Sequence, residues 1–208
     1  MRALIVLGGE APEPELLRAC AQNADLTIAA DSGLAAFDAA GVVPDLLIGD
    51  MDSVDPALLG RYERVPQERL CCVKDDTDGV HAVDVALARG AEQITLLGAL
   101  GGRMDHALAN LMLLVRAHRG GAFAEILGGG VHVIRVPGEA VLRGAKGDTV
   151  SFLPLGDAQG VTLTGFFYPL SAHDLHSDYP LGVSNVVTQD EASVSVQDGD
   201  LLMFHYHS

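Results

Sequence analysis

The sequence predicts a two-part chain: an α/β unit with a mostly parallel sheet flanked by helices, then an all-β sandwich. Two textures predict it. Up to about residue 120, compact apolar runs alternate with segments of helical period, the pattern of parallel strands joined through helices. Past Gly120-Gly121, short β-type runs are separated by Gly, Pro, Asp and Asn turns, with no further long helical period. That second texture reads as a sandwich or open barrel. The division is set as 1–124 and 125–208, within a chain of 208 residues that suits one large domain or two small ones.

Taken in order, Ala3–Leu7 is a compact apolar run and Pro14–Gln22 has helical spacing. Leu26–Ala30 is strand-like and Gly33–Ala40 helical. Asp45–Ile48 is again extended, with Pro44 blocking helix before it. Leu70–Val73 is a more ambiguous strand-like run. Asp78–Arg89 places Val80, Val83, Ala86 and Leu87 on one face, the helical period. Gln93–Leu97 reads as a strand and Asp105–Arg119, rich in Ala and Leu, as a helix. The β-type runs that follow are Phe123–Leu127, Val131–Val136, Ala140–Leu142, Thr149–Leu153, Val161–Leu163, Ser193–Val196 and Leu201–Phe204.

Composition narrows the function. Apolar residues make up 49% of the chain, enough for a real core, and no run approaches the roughly 20 apolar residues of a membrane span. The first apolar run stops at Gly8-Gly9-Glu10, too short and too soon acidic for a signal peptide; a cytoplasmic protein is expected, with no membrane partner. The net charge of −15 is spread over both parts, with 13 Lys/Arg against 28 Asp/Glu and no basic patch, so nucleic acid is a poor partner. Such a surface opposes ATP unless Mg²⁺ accompanies it. Three cysteines do not make a disulfide framework. His173-x-x-His176 and His205-x-His207 lack cysteine partners or a helix carrying them, so no zinc site is expected.

The chemistry concentrates in three acidic segments: Asp31-Ser32-Gly33, Gly49-Asp50-Met51-Asp52-Ser53 and Lys74-Asp75-Asp76-Thr77-Asp78. Each follows a strand-like run, and residues just past the carboxyl ends of strands line the ligand crevice of an open α/β sheet. Aspartates converging there repel one another unless a cation neutralises them. Hard oxygens from several loops suit Mg²⁺, which is held by one or two carboxylates plus substrate phosphates. An aspartate between strand and helix also serves as an N-cap, an alternative that applies to Asp31, Asp78 and Asp105. Asp50 and Asp52, spaced i and i+2 behind a glycine, exceed what a cap requires. The chain therefore reads as an enzyme handling a magnesium–nucleotide.

Gly98-Ala99-Leu100-Gly101-Gly102-Arg103-Met104-Asp105-His106 follows a strand and opens a helix. Its glycines let backbone N–H groups approach an anion, and the helix N-terminus adds partial positive charge. Arg103 offers a fork of donors to phosphate oxygens. Asp105 either caps the helix or orients Arg103; His106 faces phosphate or base. The segment is neither a Walker A loop nor a Gly-x-Gly-x-x-Gly fingerprint, and the first strand ends without fingerprint glycines, which argues against a dinucleotide oxidoreductase.

The order Asp-Ser-Gly, Pro44-Asp45-Leu-x-Ile-Gly-Asp-x-Asp-Ser53, Lys74-Asp-x-Thr-Asp78 and Gly98-x-x-Gly-Gly-Arg-x-Asp-His-x-x-x-Asn110 resembles the thiamine pyrophosphokinase family. The likeness continues in Leu163-Thr164-Gly165-Phe166-Phe167-Tyr168-Pro169-Leu170 and Leu181-Gly182-Val183-Ser184-Asn185. It implies diphosphoryl transfer from ATP to the hydroxyl of thiamine, a homodimer, an α/β catalytic domain and a C-terminal sandwich. Residue by residue, it implies that Asp31, Asp50, Asp52 and Asp78 form the acidic site, with Mg²⁺ on Asp50, Asp52 and Asp78. Ser32, Thr77, Gly101, Gly102, Arg103, Asp105, His106 and Asn110 fall on its ATP side. Ser184 and Asn185 match the thiamine side, and Tyr168 stands where some relatives place a tryptophan. Asp31 or Asp75 would take the hydroxyl proton. Two rivals are a pyrophosphokinase for another alcohol, such as a hydroxymethyl pterin, and a non-catalytic Mg–ATP-sensing module.

Overall fold

The computed structural model describes residues 1–68 and 77–207. The chain divides into two compact units, Met1–Gly129 and Gly130–Ser208.

The first unit alternates strand and helix. Its strands are β1 (Arg2–Val6), β2 (Leu26–Ala30), β3 (Leu46–Ile48), β4 (Gln67–Glu68), β5 (Gln93–Leu97) and β6 (Phe123–Gly128). Its helices are α1 (Pro14–Gln22), α2 (Leu34–Ala40), α3 (Pro56–Arg61), α4 (Asp78–Ala88) and α5 (Met104–Arg119). Every pairing within the sheet is parallel, in the order β4-β3-β2-β1-β5-β6. The helical crossovers cover the sheet faces, so its inner strands are apolar throughout rather than alternating. All five residues of β2 are buried. Leu4, Leu17, Leu34, Phe37 and Leu47 are at most 1% exposed and share one core, each contributing about 1.5–3 kcal/mol through burial.

Local sequence explains the boundaries. Pro14 and Pro56 open α1 and α3, where a missing N–H costs nothing. The Asp55 carboxylate caps α3 by accepting from the Ala57 N–H at 2.9 Å. Gly41 closes α2 in the left-handed region, at φ 67°. The run Phe123–Leu127, grouped by texture with the β-type segments, pairs in parallel with β5 as part of β6. The division of the chain therefore follows β6. The Leu70–Val73 run, Cys71, Cys72 and Asp75 lie outside the described residues.

The second unit is all β: β7 (Val131–Arg135), β8 (Glu139–Arg143), β9 (Thr149–Thr164), β10 (Leu170–Leu175), β11 (Asn185–Val186), β12 (Glu191–Ser195) and β13 (Asp198–Tyr206). The long β9 organises it. Its first half pairs with β13 and β11, its second half with β12 and β10, all antiparallel. The sequence suggested two strands, Thr149–Leu153 and Val161–Leu163; the structure joins them. A register shift between Asp198 and Asp200 accommodates the join. At Gly199 (φ 99°) a Cβ would stand 2.4 Å from the Asp157 carbonyl oxygen. Phe152, Val161, Leu163, Val194 and Leu201 form the centre of this unit's core.

Candidate active site

The strand order reverses beside β1: β2 to β4 lie on one side, β5 and β6 on the other. Ligands bind outside the carboxyl ends of strands at such a switch point. There the chain opens a cleft of about 500 Å³, lined among others by Gly8, Gly9, Asp31, Ser32, Asp50, Ser53, Thr77, Asp78, Gly101, Gly102, Arg103, His106 and Asn110.

Its floor is backbone packed too closely for side chains. Gly9 donates to the Gly98 carbonyl at 2.8 Å. A Cβ on Gly9 would lie 2.4 Å from the Leu100 carbonyl oxygen. Gly8-Gly9 thus belongs to the site, a signal the sequence offered only as a lack of fingerprint glycines.

Asp31, just past β2, stands in the left-handed region at φ 47°, which Asp tolerates better than most residues. It caps no helix: α2 begins on Gly33 without a side-chain cap. Its Oδ2 accepts a short hydrogen bond from the Ser53 hydroxyl, a partner that sequence reasoning missed. Its Oδ1 is buried with no hydrogen-bond partner among the described residues. Past β3, the Asp52 N–H donates to Asp50 Oδ1 at 3.1 Å, folding the Gly-Asp-x-Asp segment so both carboxylates serve one place. Oxygens of Asp31, Asp50 and Asp52 lie within 4.8 Å of one another. Asp78 opens α4, whose cap is the Thr77 hydroxyl, accepting from the Val80 N–H at 3.3 Å.

Electrostatics record the crowding. Asp50 beside it pushes the Asp52 carboxyl above the ordinary range, with Asp31 adding to the effect. Burial raises Asp78, and repulsion from Asp31, Asp50 and Asp52 adds to it. An orphaned buried oxygen, three convergent carboxylates and an all-oxygen donor set fit a hard divalent cation such as Mg²⁺. Asp75 lies outside the described residues.

Opposite the carboxylates stands the glycine-rich turn. Gly101 and Gly102 take φ of 78° and 66°, and α5 starts at Met104 with no side-chain cap. Of its first-turn N–H groups, that of His106 donates to Asp105 Oδ1 at 3.0 Å, and the Met104 and Asp105 N–H groups precede it at the end of the helix that favours an anion. Asp105 is not at the N-cap position, which Arg103 occupies, yet its Oδ1 takes the His106 N–H. It grips Arg103 in a fork, Oδ1 to Nε at 3.1 Å and Oδ2 to a terminal nitrogen at 2.6 Å. That pairing holds the Asp105 carboxyl down at about 2. The Asn110 amide donates to the Ala99 carbonyl at 2.8 Å, tying the turn to α5.

In the second unit, Phe167 and Tyr168 are 62% and 63% exposed, their rings edge to face at 4.8 Å. Asn185 is buried, and its amide is spent on backbone. Its Oδ1 accepts from the Tyr168 and Val186 N–H groups at 3.0 Å, and its Nδ2 donates to the Tyr168 carbonyl at 2.8 Å. Asn185 thus fixes the backbone of Tyr168. Ser184 is exposed in the left-handed region at φ 58°, its N–H donating to the Ser151 hydroxyl at 3.0 Å.

Residues 17–123 match the family model described as thiamin pyrophosphokinase, catalytic domain, and residues 131–201 match thiamin pyrophosphokinase, vitamin B1 binding domain. The chain belongs to the thiamine pyrophosphokinase family. A thiamine pyrophosphokinase of Bacillus subtilis is 31% identical over 183 residues, 86% of each chain. Among solved members of the family, the Bacillus subtilis structure superposes with a TM-score of 0.85 at 27% identity, covering 100% of both chains. That of Geobacillus thermodenitrificans gives 0.83 at 28%, covering 100% of this chain and 98% of the other. The cleft lies in the stretch matched by the thiamine pyrophosphokinase catalytic model, apart from Leu7, Gly8 and Gly9. Tyr168, Ser184 and Asn185 lie in the stretch matched by the vitamin B1 binding model. Among the described residues, no helix is long and apolar enough to cross a membrane.

Proposed function

We propose that the chain is a diphosphotransferase that moves the terminal diphosphoryl group of ATP to the hydroxyl of thiamine, giving thiamine diphosphate and AMP. The observation that carries this reading is one cleft holding convergent carboxylates across from a glycine turn and a fixed arginine. Family membership supplies the acceptor.

Mg²⁺ would be held by Asp50 and Asp52, with Asp31 and Asp78 beside them, and would supply charge neutralisation on the phosphate oxygens. Arg103, pre-aligned by Asp105, offers a fixed fork to the phosphates. The glycine turn and the start of α5 would add backbone N–H groups and partial positive charge for the same phosphates. The thiamine oxygen attacks the β-phosphorus, the bond from that phosphorus to the α–β bridging oxygen breaks, and AMP leaves with the electron pair. The hydroxyl proton goes to a carboxylate, for which Asp31 and Asp75 are the candidates. On the acceptor side, Tyr168 offers an aromatic face to the thiazolium charge, held by Asn185, with Ser184 beside it. We further read the β unit as a sandwich built on β9. The active form is taken as a homodimer, which would cover the exposed Phe167, Tyr179, Leu181 and Val183, working in the cytoplasm.

Purified protein with Mg–ATP and thiamine should form AMP and thiamine diphosphate in equal amounts. ADP in place of AMP would mean single phosphoryl transfer and overturn the reading. Product with a hydroxymethyl pterin but none with thiamine would reassign the acceptor, and no product with either would favour a sensing module.

A further inference from the structure

The histidine-rich end of the chain meets an aspartate in a second cluster, chemically unlike the carboxylates of the cleft. His205 lies on β13 and His207 follows it by two residues, a spacing that puts both imidazoles on one face of an extended chain. Asp148 immediately precedes β9, whose Val150 stands opposite His205 in the ladder. His205 Nε2 is 2.7 Å from Asp148 Oδ2, and His207 Nδ1 is 3.7 Å from the same oxygen. The two rings stand 4.1 Å apart between centroids. One nitrogen of each ring and a carboxylate oxygen all lie within 4.8 Å of one another. The sequence offers only the His-x-His pair; the fold brings its third ligand from 57 residues away.

We propose that Asp148, His205 and His207 bind a divalent transition metal of the Zn²⁺ class, at a site separate in chemistry from the all-carboxylate cluster. Imidazole nitrogens suit Zn²⁺ and its neighbours, whereas carboxylate and water suit Mg²⁺. Tetrahedral Zn²⁺ sits about 2.0–2.2 Å from nitrogen and oxygen ligands, which sets ligand atoms about 3.4 Å apart. The observed separations of 2.7 and 3.7 Å bracket that value, so small side-chain rotations complete three ligands and leave a fourth position for water. Burial of Asp148 and His205 fixes two ligands, while His207, mostly exposed, leaves an entry path. A hydrogen-bonded His–Asp pair accounts for His205, whereas the exposed His207 nitrogen stands 3.7 Å from the same oxygen, beyond hydrogen-bond reach and near ligand spacing.

The site also reaches the acceptor side. The Asp148 carbonyl accepts from the Val187 N–H, and the Gly147 N–H donates to the Val187 carbonyl. Val187 follows β11, the strand that carries Asn185. An ion on Asp148 therefore ties β13, the start of β9 and the Asn185 segment together, and stabilises the β unit by mass action.

The test uses the full chain with millimolar Mg²⁺ present to occupy hard-oxygen ligands. Co²⁺, as a coloured probe, should give visible absorption that saturates at one equivalent and is lost on adding Zn²⁺. Calorimetric Zn²⁺ affinity should fall at least about 10-fold in His207→Ala, the lower end of what disturbing a metal's ligand shell costs. His207 is exposed, so circular dichroism should be unchanged in this variant. Asp50→Asn should bind Zn²⁺ as the parent chain does. Absence of stoichiometric binding, full affinity in His207→Ala, or loss of binding in Asp50→Asn would each overturn the proposal.

Discussion

Gly49 is the cleft glycine whose added methyl group would press directly on the acidic cluster. It sits between the two acidic arms at φ 127°, a backbone state that side chains rarely adopt. A Cβ there would stand 3.3 Å from the Asp78 carboxyl carbon and 3.4 Å from the Asp31 Cβ. Gly49→Ala therefore combines about 1–3 kcal/mol of backbone strain with an outward push of a few tenths of an ångström on two carboxylates. At about 2–4 °C per kcal/mol for a chain of this size, the melting temperature should fall by several degrees. A misplacement of about 1 Å costs about 10²-fold in rate. Scaled to a few tenths, kcat should drop about 3–10-fold and the Mg²⁺ requirement should rise. Thermal unfolding and AMP release over a Mg²⁺ titration measure both. A variant with unchanged melting temperature, kcat and Mg²⁺ dependence would refute the claim that Gly49 sets the carboxylate spacing.

Other perturbations test the charge balance and the acceptor side. A carboxyl raised on folding holds a proton that the unfolded chain has released, so its favourable contribution is present at low pH and lost as pH rises through the raised value. Repulsion raises Asp52, so Asp52→Asn should be more stable than the parent protein without metal at pH 7. The difference should shrink toward pH 4, and Mg²⁺ should reverse the order; a pH-independent difference in melting would contradict this. Tyr168→Ala should weaken thiamine binding by about 0.5–2 kcal/mol, the range of cation–π contacts, while ATP affinity measured by calorimetry stays put. Asn185→Ala should weaken the same ligand and also destabilise the fold, because it strands part-buried backbone groups of Tyr168. Equal loss of both ligands in Tyr168→Ala would remove it from the pocket.

The sequence shows the fold where periodicity is long and local, and loses it where structure is short or relational. Asp105–Arg119 and Gln93–Leu97 carry their own helical and strand signals. The six residues of α3 and the two of β4 and β11 are too brief for any period. The continuity of β9 depends on Gly199 across the ladder, which the β9 sequence cannot contain. In the site, the acidic segments are legible because each follows a strand-like run and two carboxylates spaced i and i+2 behind a glycine exceed what a cap requires. The Ser53 hydrogen bond to Asp31 and the Gly9 contact with Leu100 are not, since each joins distant segments that only the switch point brings together. Asp105 shows the same limit: the sequence offers capping and arginine-holding as alternatives, and the structure has the one carboxylate both hold Arg103 and accept from the His106 N–H.

The central claim is that the Gly-Asp-x-Asp carboxylates hold the ion that lets ATP react in this cleft. The most direct measurement is the initial rate of thiamine-dependent AMP release by Asp50→Asn and Asp52→Asn across a Mg²⁺ series, with the melting temperature recorded for each. Each variant should stay folded and lose about 10²-fold or more in kcat, the scale of removing one strong electrostatic contact in catalysis. Ordinary turnover with the parent protein's Mg²⁺ dependence in either variant would contradict the account.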